Sequence, residues 1–306
     1  FPPLVTGIVV LMIGISLLKV GFKYAGGGVW LMNNKPEIFA NWHHLTIAGT
    51  VLIVALLTNL KGRGMVSAAS ILIGIIAGFI VAAMLGEVRW EKIAAADWFA
   101  IPMPMQYGID FVWGAVILML FMSIVTTIET IGDISATTMG GANREATNKE
   151  LSGGIMADGV GTAFASIFNA MPNTSYSQNA GLVAFTGVIS RHVGTVAGVI
   201  LILLGLFPKL GGIIAAMPDS VIGGAAIIMF GLIAGAGIKL ISKSEMSQRN
   251  VLILALSLSF GIGLYAFPEF VAHVPDLGIK LGLLLTTGLI PAGLLAFILN
   301  ATLPKK

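Results

Sequence analysis

The sequence predicts an all-α polytopic membrane protein, and three observations carry that prediction. Of the 306 residues, 57% are hydrophobic and only 10% charged, against about 45–50% apolar and about 25% charged in an ordinary soluble domain. Apolar stretches recur from Val5 to Leu299, so one targeting peptide near the start does not account for them. The 39 glycines suit helices that approach closely in lipid. A soluble globular protein is excluded, because the surplus apolar surface must face something other than water. The formal net charge of +3 comes without any Lys/Arg cluster interleaved with aromatics, so nucleic acid is not an expected partner. The chain has no cysteine, which excludes disulfides, Cys-ligated zinc and thiol nucleophiles. Four scattered histidines argue against a metal site, and no cofactor is expected.

Apolar runs bounded by charge or by Pro/Gly give about ten candidate spans. They lie near 4–20, 44–60, 65–86, 110–139, 151–169, 174–190, 193–207, 218–238, 250–267 and 281–300. The sixth is unusual, because Met171-Pro172-Asn173-Thr174-Ser175-Tyr176-Ser177-Gln178-Asn179 is polar where a lipid-facing helix is oily. Irregular backbone at membrane depth survives only against protein or a water-filled cavity, so this stretch is expected to line a pathway.

In the ten-span reading, Lys61, Arg63, Arg144, Lys149, Arg191, Lys239, Lys243, Arg249, Lys305 and Lys306 fall on one side. That side is expected to be cytoplasmic. Trp30, Trp42, Trp90 and Trp98 fall in the two long loops opposite, where amphipathic rings suit the headgroup level, and 88–100 is expected to hold a surface-lying helix. His43, His44, His192 and His273 sit in loops or at span ends and are expected to be solvated. The pairs Gly74-x3-Gly78 and Gly231-x3-Gly235 are expected to serve packing within the fold, and their spacing leaves a homodimer open.

Pro3-Leu4-Val5-Thr6-Gly7 opens the first span as Pro218-Asp219-Ser220-Val221-Ile222-Gly223 opens the eighth. Seven spans separate them, so two such copies would be inverted, as in many secondary transporters; chance could also supply so short an echo. An offset of about 215 residues, applied to the fourth span, places the start of a first repeat about 105 residues before Phe1, so about four spans are expected upstream. Proteolytic processing is the other explanation for the abrupt start.

Intramembrane acids usually face a bundle interior, which makes Glu129, Asp133 and Asp158 the leading candidates for chemistry. Glu129 and Asp133 stand at i, i+4 and share one helix face. Asp158 follows on the next span. Neighbouring carboxylates in a low dielectric do not all ionise cheaply, so at least one is expected to hold a proton and be able to carry it. Alternatively, Asp133 or Asp158 fixes local backbone. Gln178-Asn179-Ala180-Gly181 places two carboxamides directly before an apolar half-helix start, where free N–H groups and the positive end of the helix dipole face the cavity. Carboxamide, carboxylate and backbone N–H together suit an uncharged, flat, hydrogen-bonding heterocycle. Alternatively, Asn179 ties the broken backbone together.

At these residues the sequence resembles the nucleobase-ascorbate transporters, also called xanthine/uracil permeases. Gln178-Asn179-Ala180-Gly181, four residues and then Thr186-Gly187 match the family signature [Gln/Glu/Pro]-Asn-x-Gly-x4-Thr-[Arg/Lys/Gly]. Glu129-Thr130-Ile131-Gly132-Asp133, Asp158 within Ala-Asp-Gly, and the Pro-Pro-Leu-Val-Thr-Gly start are similar to family segments in the family's order. The resemblance covers essentially the whole chain. It implies an inverted seven-span repeat transporter fold, fourteen spans divided into core and gate domains, of which about ten are present. On that mapping 1–86 is a gate part resembling spans five to seven, and 87–109 is an extracellular or periplasmic loop. Residues 110–207 form a core part resembling spans eight to eleven, and 208–306 the remaining gate part. One span is expected to be interrupted by a short strand, at 173–178.

The resemblance also implies roles. Glu129 would bond ring N–H groups and Gln178 the opposite edge of a base, with Asn179, Ala180 and Gly181 around it. Asp133 and Asp158 would support the site or the proton coupling. Uracil-type members often have Glu where Gln178 stands and His where Asp133 stands, so this pair points to purines such as xanthine or urate. The expected function is proton-coupled uptake of a purine nucleobase across the cytoplasmic membrane by an elevator movement of core against gate, with membrane lipid as the other partner. A uracil-type pyrimidine or an anion transporter of the same fold is the alternative, although an anion site would not favour Glu129. A remoter one is an intramembrane aspartyl protease using Asp133 and Asp158, but the motif that such an enzyme needs is missing: Thr130 stands where its first Gly should be, and Ala157 precedes Asp158.

Overall fold

The computed structural model describes residues 2–176, 179, 180, 183, 187–272 and 285–304, except for the side chains of Ala68, Leu118, Phe121, Val125 and Ala272. Among the described residues the regular structure is helical throughout. Helix α1, Pro3–Ala25, begins on a proline, whose missing N–H costs nothing in a first turn. At 23 residues it runs about 34 Å, enough for a hydrocarbon core of about 30 Å. After the left-handed Gly27 and Gly28 comes the short α2, Val29–Asn34. Helix α3, Trp42–Lys61, is capped by the Asn41 side chain, which accepts from the His44 N–H. The short α4, Met65–Ala68, precedes α5, Ser70–Met84.

Within the 88–100 stretch lies one short helix, α6, Trp90–Ala95. Trp30, Trp42, Trp90 and Trp98 are all exposed, as rings at a headgroup layer would be. Helix α7, Trp113–Ala142, is 30 residues long and ends at the left-handed Asn143. Helix α8, Asn148–Ile167, opens with a capping box between Thr147 and Glu150. Next come α9, Arg191–Gly205, and α10, Pro208–Ala216, bent by 81° at the break between them. The described order closes with α11, Asp219–Ile241, α12, Gln248–Ala266, α13, Pro268–Ala272, and α14, Leu289–Thr302.

Five of these helices, α1, α3, α7, α11 and α12, are long and apolar enough to cross a membrane, and the bent α9–α10 pair would make a sixth. The ten-span expectation is corrected on that count. Helices occupy nine of the ten places, but α5 and α14 are short, and α8 has the length without the apolarity, since Asp158 and a run of glycines dilute it. The sixth place, 174–190, lies largely outside the described residues, and 174–176 and 187–190 are not helical. The expected strand is also corrected as far as it is described: 173–176 carry neither helix nor strand, because a strand exists only through a ladder partner and the described residues supply none.

The chain divides into two compact units. The first comprises 1–17, 105–184 and 231–306. Its core is built on Leu4, Val5, Ile8 and Met12 of α1 with Ile253 of α12 and Ala292 and Ala296 of α14. Here α1 runs antiparallel to α11, with Gly7 facing Ile241, Leu11 facing Gly237 and Gly14 facing Ala234. The second unit comprises 18–104 and 185–230. Its core gathers Ile47, Val51, Ala82, Val88, Ala216, Val221 and Ala225. Gly74 and Gly78 let α5 press on Val51 of α3, as expected for internal packing. Gly231 and Gly235 differ, facing open space among the described residues.

Candidate functional site

The site is built from α7, α8 and the non-helical segment that follows α8, all in the first unit. Helix α7 has a glycine, Gly132, between the two acids in sequence, where an added Cβ would just touch the Thr6 methyl of α1. Glu129 and Asp133 are partly buried on α7, and Asp158 is partly buried on α8. Both aspartates lie within electrostatic reach of Glu129. The three sequence-predicted acids are therefore one cluster.

Each aspartate accepts a hydrogen bond from a hydroxyl. Thr130, only 2% exposed, donates to Asp158 Oδ2 at 2.5 Å, while Ser175 donates to Asp133 Oδ2 at 2.5 Å. The α7–α8 approach that makes the first bond is allowed by Gly154, which packs on Ile134.

The second bond belongs to the irregular segment. Residues 171–176 have no ladder of their own, so their polar groups depend on side chains nearby. Asn173 donates its N–H to Thr162 Oγ1 at 3.2 Å, and the Thr162 hydroxyl donates to Asn173 Oδ1 at 2.9 Å. Asn179 and Ala180 are helical, and the Asn179 N–H donates to the Tyr176 carbonyl at 3.0 Å. Asn179 is exposed and Ala180 partly buried. Gln178 and Gly181, also expected at the site, lie outside the described residues.

Sequence reasoning singled out the acids and the amides but missed their supports. Ser175, Thr162 and Asn173 are polar residues in a polar or mixed stretch, with no spacing that reveals their partners. Thr130 could have been suspected, since a hydroxyl beside Glu129 in an apolar helix is itself out of place. The expectation of solvated histidines is corrected for His44 in the second unit. It is 8% exposed and pairs through Nδ1 with the buried Ser220 hydroxyl at 2.9 Å. Asn41 starts α3 at this point, so the histidine turns inward instead of lying in a loop. His43 is half-buried and lies 3.0 Å from Glu87. Among the described residues no group of three His, Cys, Asp or Glu is arranged to hold a metal.

Long apolar helices, a cluster of intramembrane acids and a non-helical segment bonded to it define a polytopic helical membrane protein. The chain belongs to the Permease family (Xan_ur_permease), which it matches over residues 1–270. It is 39% identical over 305 residues to a Clostridium perfringens protein bearing a purine-permease name, covering 100% of this chain and 66% of that one. It is 34% identical over 310 residues to the xanthine permease XanP of Escherichia coli, covering 99% of this chain and 65% of the relative. It is 35% identical over 303 residues to the uric acid permease PucJ of Bacillus subtilis, covering 98% of this chain and 66% of the relative. The chain thus spans just under two thirds of the length of these curated relatives. The relatives are named as transporters, not enzymes, and the chain is an integral, multi-pass membrane protein.

Proposed function

We propose that the protein is a secondary active transporter that takes up a purine nucleobase, xanthine or a urate-like base, across the cytoplasmic membrane with a proton. The observation that carries this reading is the cluster of Glu129, Asp133 and Asp158 beside the interrupted segment, in a chain whose relatives are named xanthine and uric acid permeases. A neutral ring with N–H and C=O edges needs acceptors and donors held in place in a dry site. Glu129 supplies the acceptor, and the carboxamides of Gln178 and Asn179 and the backbone N–H groups of 179 and 180 supply donors. Asp133 and Asp158 support this set.

Proton coupling follows from the same residues. A carboxylate in lipid is costly when charged, so Glu129 would take a proton together with the base before crossing the membrane barrier. Binding both substrates at one group makes their movement obligatory together. The domain reading, a core part at 110–207 moving as a rigid body against gate parts at 1–86 and 208–306, would carry this site between the two faces. A homodimer and bound lipid fit the same proposal. A uracil-type pyrimidine transporter is the second reading, disfavoured by Gln178 and Asp133 as a pair.

Two measurements test the proposal. Purified full-length protein should be stabilised thermally by xanthine or urate and less by guanine or uracil, because only binding to the folded state raises stability. Glu129→Gln should abolish proton-coupled xanthine accumulation while leaving the melting temperature of the empty protein within a few degrees. Undiminished accumulation in that variant would defeat the assignment.

A further inference from the structure

Away from the acids, a hollow of about 480 Å3 lies in the second unit, a volume within the range of about 300–1,000 Å3 usual for ligand pockets. The end of α1, parts of α2, α3 and α11, and the loop before α3 line it. Its walls include Phe22, Phe39 and Leu45, and Lys19 and Lys23 are the only polar side chains among its described lining residues. Gly49 of α3 keeps it open: a Cβ there would meet nothing within 4 Å. Phe22 and Leu45 are both exposed, so hydrocarbon reaches the hollow from the side. Lys19 and Lys23 stand at i, i+4 and share one face of α1. Helix α1 contains no acid, and none lines the hollow among the described residues. Two like charges one turn apart weaken a helix, and an anion held between them reverses that effect. Lys19 lies six residues before the end of α1, about 9 Å along its axis. Its stem can follow the apolar wall while the ammonium reaches the headgroup level, which the exposed Trp30 and Trp42 nearby mark.

We propose that this hollow binds one anionic phospholipid, with an acyl chain over Gly49 between Phe22 and Leu45 and the phosphate between Lys19 and Lys23. The lining selects the ligand class. Apolar walls would leave the polar edges of a base or a sugar unpaired, whereas hydrocarbon loses nothing there. Two ammonium groups call for a headgroup of net negative charge, because a zwitterionic one brings its own cation to the same place. Basic pockets between membrane helices hold acidic headgroups in this way. Inorganic phosphate would meet the lysines alone and forgo the apolar contact. The lysines and Gly49 belong to a different unit from the acids, and the proposal stands whatever the transported substrate is.

The test takes delipidated full-length protein and titrates it with phosphatidylglycerol, phosphatidylcholine or inorganic phosphate, reading melting temperature and, by native mass spectrometry, lipid bound per protein. The parent should bind phosphatidylglycerol about tenfold or more tightly than phosphatidylcholine, and inorganic phosphate should leave the melting temperature unmoved. Each lysine near an anionic lipid is worth about fivefold in affinity, so Lys19→Gln with Lys23→Gln should weaken phosphatidylglycerol binding by about thirtyfold. Gly49→Leu fills the hollow and should weaken it by about tenfold with both lysines in place. The lipid-free Gly49→Leu protein should melt no lower than the parent, because the new side chain enters open space and leucine favours a helix over glycine. Equal affinity of the parent for the two lipids, or unchanged phosphatidylglycerol affinity in either variant, overturns the proposal. A parent dimer that dissociates in Gly49→Leu whatever lipid is present would give the hollow to a second copy and overturn it too. Should Gly49→Leu not fold, the lysine variant decides alone. Failure of the transport reading is a separate result, since none of these measurements needs a transported substrate.

Discussion

Two antiparallel helix pairs in the first unit each include a long apolar helix, α1 in one and α7 in the other, and hold together in opposite ways. Where α1 meets α11, close approach is made by glycine against backbone: Gly14 on Ala234, Gly237 on Leu11 and Gly7 on Ile241. Where α7 meets α8, one glycine, Gly154, sits beside a hydroxyl–carboxylate bond from Thr130 to Asp158. The apolar stretch of α1 is 61% buried inside the protein and that of α7 only 13%. Hydropathy does not separate the two. What separates them is whether the small residues are accompanied by acids. A seam of glycines alone gives a fixed scaffold, since a backbone contact has no slack. A seam that includes carboxylates spends stability on groups that bind.

The strongest way to break this comparison is to fill the glycine seam. A Cβ on Gly14 would stand 2.5 Å from the Ala234 nitrogen and 2.7 Å from its Cα, atoms that move only if the helix moves. Gly14→Leu should leave little folded protein in the membrane. Gly14→Ala, the mildest probe, should cost about 1–3 kcal/mol, as overpacking of a tight contact does, and the fall in melting temperature of the purified protein measures it. Its KM should be unchanged in the molecules that fold. Glu129→Gln gives the mirror image, normal folding without transport. A Gly14→Ala protein that folds normally but loses substrate affinity would show that the scaffold and the site are one device.

Much of this contrast was legible in the sequence. Glu129, Asp133 and Asp158 stand out because lipid tolerates few acids, and the i, i+4 spacing places the first two on one face without any structure. The helices of α1 and α11 are long apolar runs opened by proline, and their ends were readable to within a few residues. The span count was not, because one apolar run at 65–86 joins the short helices α4 and α5 across Ala69, and because α5 and α14 are shorter than the apolar runs that contain them. The irregular segment was identified by its polarity, yet its form could not be, since Ser175 and Thr162 gain meaning only from partners 42 and 11 residues away. Sequence position also misled for His44. A histidine three residues past a cap looks solvated until α3 is seen to turn it toward Ser220.

That buried pair in the second unit sharpens the comparison, being polar like the acidic seam but not part of it. Ser220 is fully buried and His44 nearly so. Ser220→Ala would strand the His44 Nδ1 in a dry place, at a cost of about 1–3 kcal/mol. The expected readout is a lower melting temperature with xanthine affinity unmoved. A shift in KM would instead mean that buried polar pairs in this fold serve substrate wherever they occur, and the distinction between the two kinds of seam would fail.

The smallest effect concerns how α8, the polar partner of α7, is started. Its cap lies outside the apolar stretch, where Arg144 donates to both Glu150 oxygens at 2.6 and 2.9 Å and the Thr147 N–H and hydroxyl each donate to Oε2 at 2.9 Å. The Arg144 bonds first, and the Thr147 bonds after them, hold the Glu150 carboxyl well below the usual carboxylate range. A carboxyl depressed in the folded state adds stability that is present above its unfolded pKa and is lost as pH falls through the folded one. The difference in melting temperature between the parent and Glu150→Gln should thus be constant from pH 8 to about 5 and shrink only below the ordinary carboxylate range near 4. It should also be small and weaken with added salt, because the pair is exposed. Thr147→Ala, which removes the cap hydroxyl itself, should cost about 1 kcal/mol with little dependence on salt. If neutralising Glu150 changed transport between pH 5 and 8, where its own charge is constant, the start of α8 would be coupled to the acids on α7, and the helix would be an active member of the site instead of its support.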